Sequence, residues 1–296
     1  MSSHDDLQKD DLQKDDLQSD ESQKEALRRD ENAENVLLDP EVEGQDSTAE
    51  TVLKRRTILR RKGIYLLPNL ITTGALFAGF YAIVAGMNGD FIAASLAIFV
   101  AGALDTADGR VARLTNTESQ FGAEYDSLSD MVAFGVAPAL VAFSWGLSSL
   151  GQFGWVATFV YMACAALRLA RFNTKSDNAS FTGLASPSAA AIIACSIWAW
   201  VGYGGGEPGV GPAVAMALIT VSIGLLMVSN FSYFSPKLIN FKGRVPFMTM
   251  VLVVLGFSIM LVDPPTVLLT LFTGYALSGP LHYLYKRVKR GTKPAA

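Results

Sequence analysis

The chain has 296 residues, half of them hydrophobic and only 17% charged, and its formal net charge is −3. That small value conceals two oppositely charged parts. Residues 1–50 carry 17 acidic and five basic side chains, whereas residues 51–296 carry ten acidic and 19 basic ones. The distribution excludes a single uniform domain and predicts an acidic tail followed by a basic, membrane-embedded body.

The acidic tail repeats the motif Asp-Asp-Leu-Gln three times and contains no aromatic residue. Such a segment cannot bury enough apolar surface to offset the entropy lost on ordering, so we expect residues 1–50 to be disordered. A basic juxtamembrane segment follows at 51–63. We predict a membrane domain over residues 64–290 and a short C-terminal tail over 291–296.

Eight apolar runs have the roughly 17–25 residues that a helix needs to cross a bilayer core. We place these spans at about 64–86, 91–108, 123–145, 154–172, 186–203, 211–231, 246–263 and 265–285. Only Asp263-Pro264-Pro265 separates the last two, which predicts a tight proline turn. The predicted fold class is therefore all-α, a polytopic bundle of about eight transmembrane helices.

Lysine and arginine residues predict the orientation of these spans, because basic loops remain in the cytoplasm. Eight crossings place all 19 basic residues of the body at one end of the bundle, and the loops at the other end have none. We therefore expect a multi-pass protein of the cell (inner) membrane, with both termini on the cytoplasmic side.

Four aspartates lie near the cytoplasmic ends of the second and third spans. Asp105 and Asp108 are three residues apart, and Asp126 and Asp130 are four apart, so each pair faces one side of its helix. A carboxylate at bilayer depth costs roughly 2.5–3.5 kcal/mol, and four together would repel one another. A divalent cation removes both problems, and oxygen ligands suit Mg²⁺ or Mn²⁺.

The residues between the two aspartate pairs favour a phosphate ligand. Gly109, Ala112 and Gly122 allow close approach to the backbone, and Arg113 offers a planar fork for phosphate oxygens. Metal ligands, an arginine and small residues are together what a pyrophosphate substrate requires.

This pattern resembles the signature of the CDP-alcohol phosphotransferase family. Asp105-x2-Asp108-Gly109-x2-Ala112-Arg113-x8-Gly122-x3-Asp126-x3-Asp130 matches it at every fixed position. Five further stretches are similar to the bacterial members that use serine: RRKGIYLLPNLITTGALFAGFYAI (60–83), DGRVARLTNT (108–117), YDSLSDMVAFGVAPA (125–139), ALRLARFNT (166–174) and GLASPSAAA (183–191). The resemblance covers roughly residues 60–290.

The resemblance implies an enzyme that binds CDP-diacylglycerol between membrane helices, transfers its phosphatidyl group to an alcohol and releases CMP. The active site would face the cytoplasm. Two divalent cations would be bound by Asp105, Asp108, Asp126 and Asp130, and Asp130 would also be the general base. The residues implied to contact CDP-diacylglycerol are Asn69, Thr72, Gly109, Arg113, Ser119 and Gly122.

The acceptor alcohol is not determined by the signature. Arg168 and Arg171, three residues apart near the cytoplasmic end of the fourth span, could bind the carboxylate of L-serine. Glycerol 3-phosphate, inositol phosphate and choline stay open as acceptors, and a membrane transporter is the alternative from another class. We expect membrane lipids as surroundings, a homodimer by resemblance, and no nucleic-acid partner.

Overall fold

The computed structural model describes residues 49–174, 183–231, 233 and 247–291. The chain divides into two units, Met1–Arg60 and Arg61–Ala296, and the second contains the spans discussed below. Almost all of the predicted acidic tail, and nearly all of the predicted C-terminal tail, lie outside the described residues.

The described residues form eight main helices and no strand, which confirms the predicted all-α class. In chain order they are α1 (Ala49–Met87), α2 (Phe91–Thr115), α3 (Gln120–Trp145), α4 (Gln152–Asn173), α5 (Ser186–Gly202), α6 (Val210–Val228), α7 (Phe247–Val262) and α8 (Pro264–Gly291). Five of them, α1, α2, α3, α4 and α6, are long and apolar enough to cross a membrane, and α5 and α7 are shorter apolar helices.

The second helix extends further than its apolar run indicated. The expected end was at residue 108, but α2 continues to Thr115 and stops where Asn116 adopts a left-handed conformation, with φ of 51°. Alanine, arginine and leucine favour helix after the apolar run has ended. Asp105 and Asp108 therefore lie within a continuous helix and not at its end.

The third helix contains a π-helical stretch that the sequence did not predict. It occupies Met131–Val136 and begins directly after Asp130. There α1 and α3 approach at backbone distance, because a Cβ atom added to Gly79 would lie 2.8 Å from the Cα of Ala133. Small residues permit such close contact between membrane helices.

The rest of the bundle is assembled from two sets of helix contacts. Helix α4 packs most extensively against α6, and α5 packs between α2 and α8. The hydroxyl of Ser95 donates to the carbonyl of Ala194 at 3.0 Å and so links α2 to α5 inside the core. Helix α7 is different, since its large apolar side chains, such as Val262, are mostly exposed, as expected for a surface in contact with lipid.

The predicted proline turn between the last two spans is confirmed. Helix α7 ends at Val262 and α8 begins at Pro264. The hydroxyl of Tyr203, just beyond the end of α5, donates to the carboxylate of Asp263 and lies 2.8 Å from the hydroxyl of Thr266. These contacts connect α5 to the start of α8 at the end of the bundle opposite the aspartates.

Candidate active site

Three of the four aspartates converge between α2 and α3. Asp105, Asp108 and Asp126 each present a carboxylate oxygen, and these three oxygens lie within 4.8 Å of one another. Asp108 is buried, and the other two are partly buried. Carboxylate oxygens at this separation are a suitable donor set for a divalent cation.

The fourth aspartate lies beside this cluster. The side chain of Asp130, one turn further along α3 than Asp126, lies close to that of Asp105. It does not belong to the group of three oxygens described above. All four predicted aspartates therefore lie close together. That Asp130 is also a metal ligand stays a prediction.

Helix α1 contributes a hydroxyl to the buried side of the cluster. Thr72 is almost fully buried, and its hydroxyl donates to Oδ2 of Asp108 at 2.6 Å. The hydroxyl of Ser129 in turn donates to the backbone carbonyl of Thr72 at 3.2 Å. A hydrogen bond from a neighbour orients a carboxylate and limits its rotation, so Thr72 holds Asp108 in a defined position.

A cavity of about 280 Å³ adjoins the aspartates between α1, α2 and α3. Two of the aspartates, Asp108 and Asp126, form part of its wall. All six residues predicted to contact the nucleotide and its phosphates also line it: Asn69, Thr72, Gly109, Arg113, Ser119 and Gly122. Sequence reasoning thus selected residues that the fold brings together from three helices.

Two polar residues of the cavity wall were missed. Thr117 and Glu118 line it together with the predicted residues. They lie in the connection between α2 and α3, within the eight-residue spacer where the signature leaves residue types open. The only signal available was their position between the two halves of the motif.

The small residues of the signature preserve the space inside the cavity. A Cβ atom at Gly122 would lie 3.1 Å from the hydroxyl of Ser119 and 3.4 Å from the side-chain oxygen of Asn69. Ser119 also has a local function, since its hydroxyl accepts from the amide of Gly122 at 3.0 Å and caps α3. Any larger residue at position 122 would occupy the space between these polar groups.

The two arginines of α4 have different surroundings. Arg168 is partly buried, donates from Nη1 to the hydroxyl of Ser186 at 2.5 Å, and lies within electrostatic range of Asp130. Arg171 donates to the carbonyl of Val228 at 3.3 Å and to the side chain of Asn230 at 2.7 Å. Neither arginine is among the described residues that line the cavity of about 280 Å³.

Comparison with known proteins agrees with this site. The family model of CDP-alcohol phosphatidyltransferases matches residues 65–275, which include all four aspartates and the whole cavity. The chain therefore belongs to the CDP-alcohol phosphatidyltransferase family, as the signature predicted. It is a transferase of that family, built on a bundle of apolar helices.

Several relatives carry the same name, CDP-diacylglycerol–serine O-phosphatidyltransferase. The protein of Helicobacter pylori (strain 26695) is 36% identical over 229 residues, which cover 76% of this chain and 94% of the relative. The Bacillus subtilis (strain 168) protein is 32% identical over 168 residues, or 56% of this chain and 89% of the relative. The Mycobacterium tuberculosis (strain H37Rv) protein is 40% identical over 140 residues, which cover 44% of this chain and 49% of the relative.

Proposed function

We propose that this protein transfers the phosphatidyl group of CDP-diacylglycerol to L-serine, which yields phosphatidylserine and CMP. The observation that carries the proposal is the junction of the aspartate cluster with a cavity lined by all six predicted nucleotide-contacting residues. The serine acceptor is supported by the relatives, among them one whose length is 94% covered.

In this proposal the cavity is the binding site of the lipid nucleotide. Asn69 and Thr72 form its α1 wall and would contact the cytidine, while Arg113 supplies a cation for the phosphate oxygens. Gly109 and Gly122 leave room for those phosphates against the backbone. The diphosphate would then lie against the aspartate cluster, since Asp108 and Asp126 belong to the same wall.

The aspartates are proposed to hold two divalent cations, Mg²⁺ or Mn²⁺. The three convergent oxygens of Asp105, Asp108 and Asp126 fit the oxygen coordination that these ions prefer, and Asp130 would complete the set. Bound metal would neutralise the negative charge that develops on the transferred phosphoryl group and on the leaving CMP.

The reaction proposed is a direct displacement at phosphorus. The serine hydroxyl oxygen forms a bond to the phosphorus that carries diacylglycerol, while the bond from that phosphorus to the CMP oxygen breaks. Asp130 takes the hydroxyl proton, which makes it the general base. Its position supports this role, because it lies beside the acidic cluster and within electrostatic range of Arg168.

The acceptor carboxylate is assigned to the cationic groups of α4. We propose that Arg168 and Arg171 supply the positive charge that attracts it, and that Arg168 makes the direct contact because it lies within electrostatic range of Asp130. An amino acid held there by its carboxylate would present its hydroxyl to the general base. Glycerol 3-phosphate, inositol phosphate and choline are the competing acceptors.

We further propose that the protein is a homodimer in the cell (inner) membrane with its active site facing the cytoplasm. The distribution of basic residues supports the orientation, since the predicted order of spans puts all 19 basic residues of the membrane body at the end that carries the aspartates. Cysteine-accessibility labelling of the α2–α3 connection in oriented vesicles would test this, and labelling from the outer face alone would contradict it.

Release of CMP from CDP-diacylglycerol by the purified protein tests the proposed reaction. The assay would be run with L-serine, glycerol 3-phosphate, inositol phosphate and choline, each with and without EDTA. We expect serine-dependent, EDTA-sensitive release. Preference for another alcohol would overturn the choice of serine while leaving the transfer reaction in place, and absence of any release would favour a transporter.

A further inference from the structure

The acidic cluster has a second side that the nucleotide cavity does not use. The cavity lies among α1, α2 and α3, whereas Arg168 and its hydrogen-bond partner Ser186 belong to α4 and α5. Arg168 donates to Ser186 and lies within electrostatic range of Asp130 on α3. Asp130 is not among the described residues that line the cavity.

The guanidinium of Arg168 has at least one hydrogen-bond donor without a partner among the described residues. Its Nη1 is bonded to Ser186, but its Nε is buried and has no hydrogen-bond partner among the described residues. A buried cationic donor without a partner is unfavourable, so the guanidinium retains hydrogen-bonding capacity that an anionic ligand would use. A planar guanidinium matches the two oxygens of a carboxylate.

Ser186 is held rigidly where it meets Arg168. It is almost fully buried as the first residue of α5. The preceding segment is bonded to the end of α6 and beyond, through the amide of Gly183 to the carbonyl of Phe231 at 2.9 Å and that of Leu184 to Leu226 at 3.0 Å. Gly183 itself has φ of +87° and no room for a side chain, because a Cβ atom would lie 2.2 Å from the carbonyl of Met227. The hydroxyl therefore provides a fixed point for a flexible arginine.

We propose that Ser186 is a positioning residue for acceptor selection. By accepting from Nη1, it orients the guanidinium of Arg168 so that the remaining donors face an acceptor carboxylate beside Asp130. This inference rests on the proposed function and extends it. The site would discriminate by the carboxylate, so it would select an amino-acid alcohol over the same alcohol without that charge.

Arg171 provides the contrast within the same helix. Its guanidinium is bonded to the carbonyl of Val228 and to Asn230, so its donors already serve to link α4 to the end of α6. We therefore assign the orienting contact to Arg168 and Ser186 alone, with Arg171 contributing charge from a distance.

The test is the specificity of a Ser186→Ala variant. Turnover would be measured with L-serine and with L-serinamide, which keeps the hydroxyl and the amine but lacks the carboxylate. We expect kcat/KM for L-serine to fall on the order of tenfold, as for one lost hydrogen bond to a charged group, with serinamide changed less than about twofold. The KM for CDP-diacylglycerol should stay within about twofold.

Ser196→Ala is the matched control, because Ser196 lies on the same helix and its hydroxyl bonds only within that helix, to Ile192 at 2.7 Å. It should leave both acceptors unaffected. Equal loss for L-serine and serinamide in Ser186→Ala would show a merely structural role and overturn the proposal. If wild type shows no serine-dependent release of CMP, the proposed function fails and not this inference alone.

A double-mutant cycle with Arg168→Lys gives an independent measure. Lysine keeps the charge but cannot form the planar fork, so Ser186→Ala should cause little further loss in that background. Additive losses would overturn the proposal. Should Ser186→Ala fail to fold, the ratio of kcat/KM for L-serine to kcat/KM for L-serinamide is measured in Ser186→Thr and in Arg168→Lys. We expect Ser186→Thr to keep the wild-type ratio and Arg168→Lys to lose it. An unchanged ratio in Arg168→Lys would contradict the assignment.

Discussion

Replacing Thr72 by valine should weaken metal binding without changing the shape of the site. Valine has nearly the volume of threonine but lacks the hydroxyl that donates to Oδ2 of Asp108 at 2.6 Å. The hydrogen bond is buried and its acceptor is a carboxylate, so its loss corresponds to roughly 1.5–3 kcal/mol. If that free energy orients Asp108 for the cation, the affinity for Mg²⁺ or Mn²⁺ should fall about ten- to a hundredfold, the usual effect of removing a partner of a metal ligand.

Two measurements would examine this prediction. The first is the metal concentration that gives half-maximal release of CMP, and the second is direct titration of Mn²⁺ by electron paramagnetic resonance. Thr72→Ser should behave like wild type because it keeps the hydroxyl.

The neighbouring residue offers a matched control. Thr73 is exposed, and its hydroxyl is bonded to the carbonyl of Asn69 at 2.7 Å and to the hydroxyl of Tyr125 at 2.9 Å, away from the acids. Thr73→Val should leave metal dependence unchanged. Unaltered Mn²⁺ binding by Thr72→Val would refute the orienting role. A higher KM for CDP-diacylglycerol at saturating metal would then leave Thr72 with only its proposed contact to the nucleotide.

Three further outcomes are expected. Asp126→Asn should abolish CMP release and the binding of Mn²⁺, since it replaces one of three convergent carboxylates, and full turnover by this variant would contradict the metal site. Deletion of residues 1–48 should leave kcat within about twofold, because that segment has a composition typical of disorder, and a large loss in a folded protein would reveal a role for the tail. Gly79→Ala should destabilise the protein by about 1–3 kcal/mol, because its Cβ would lie 2.8 Å from Ala133, while Gly256→Ala, with nothing within 4 Å, should not lower the melting temperature.

The helix count and most helix boundaries were predictable because bilayer thickness sets the length of a spanning helix. The predicted spans near 91, 186 and 264 begin within a residue or two of the helices observed there. The end of α2 was not predictable from apolarity, since the helix continues through polar residues to Thr115. Hydropathy reports where the chain meets lipid, whereas helix formation depends on backbone hydrogen bonds and can extend beyond it.

The composition of the cavity was also available from the sequence. The signature fixes residue types at fixed spacing on two consecutive helices, and helical periodicity turns that spacing into a common face. Asp108, Gly109, Arg113, Gly122 and Asp126 therefore had to be near one another once α2 and α3 packed side by side.

Only the tertiary structure decided how the remaining groups are divided. Arg168 and Arg171 look equivalent in the sequence, yet one bonds to a residue 18 positions away and the other to residues 57 and 59 positions away. Likewise, nothing local to Thr72 predicts its bond to Asp108, 36 residues further on. Periodicity determines which face of a helix a side chain occupies. Which partner that face meets depends on the packing of distant helices, and here that packing leaves Arg168 outside the cavity lined by the signature residues.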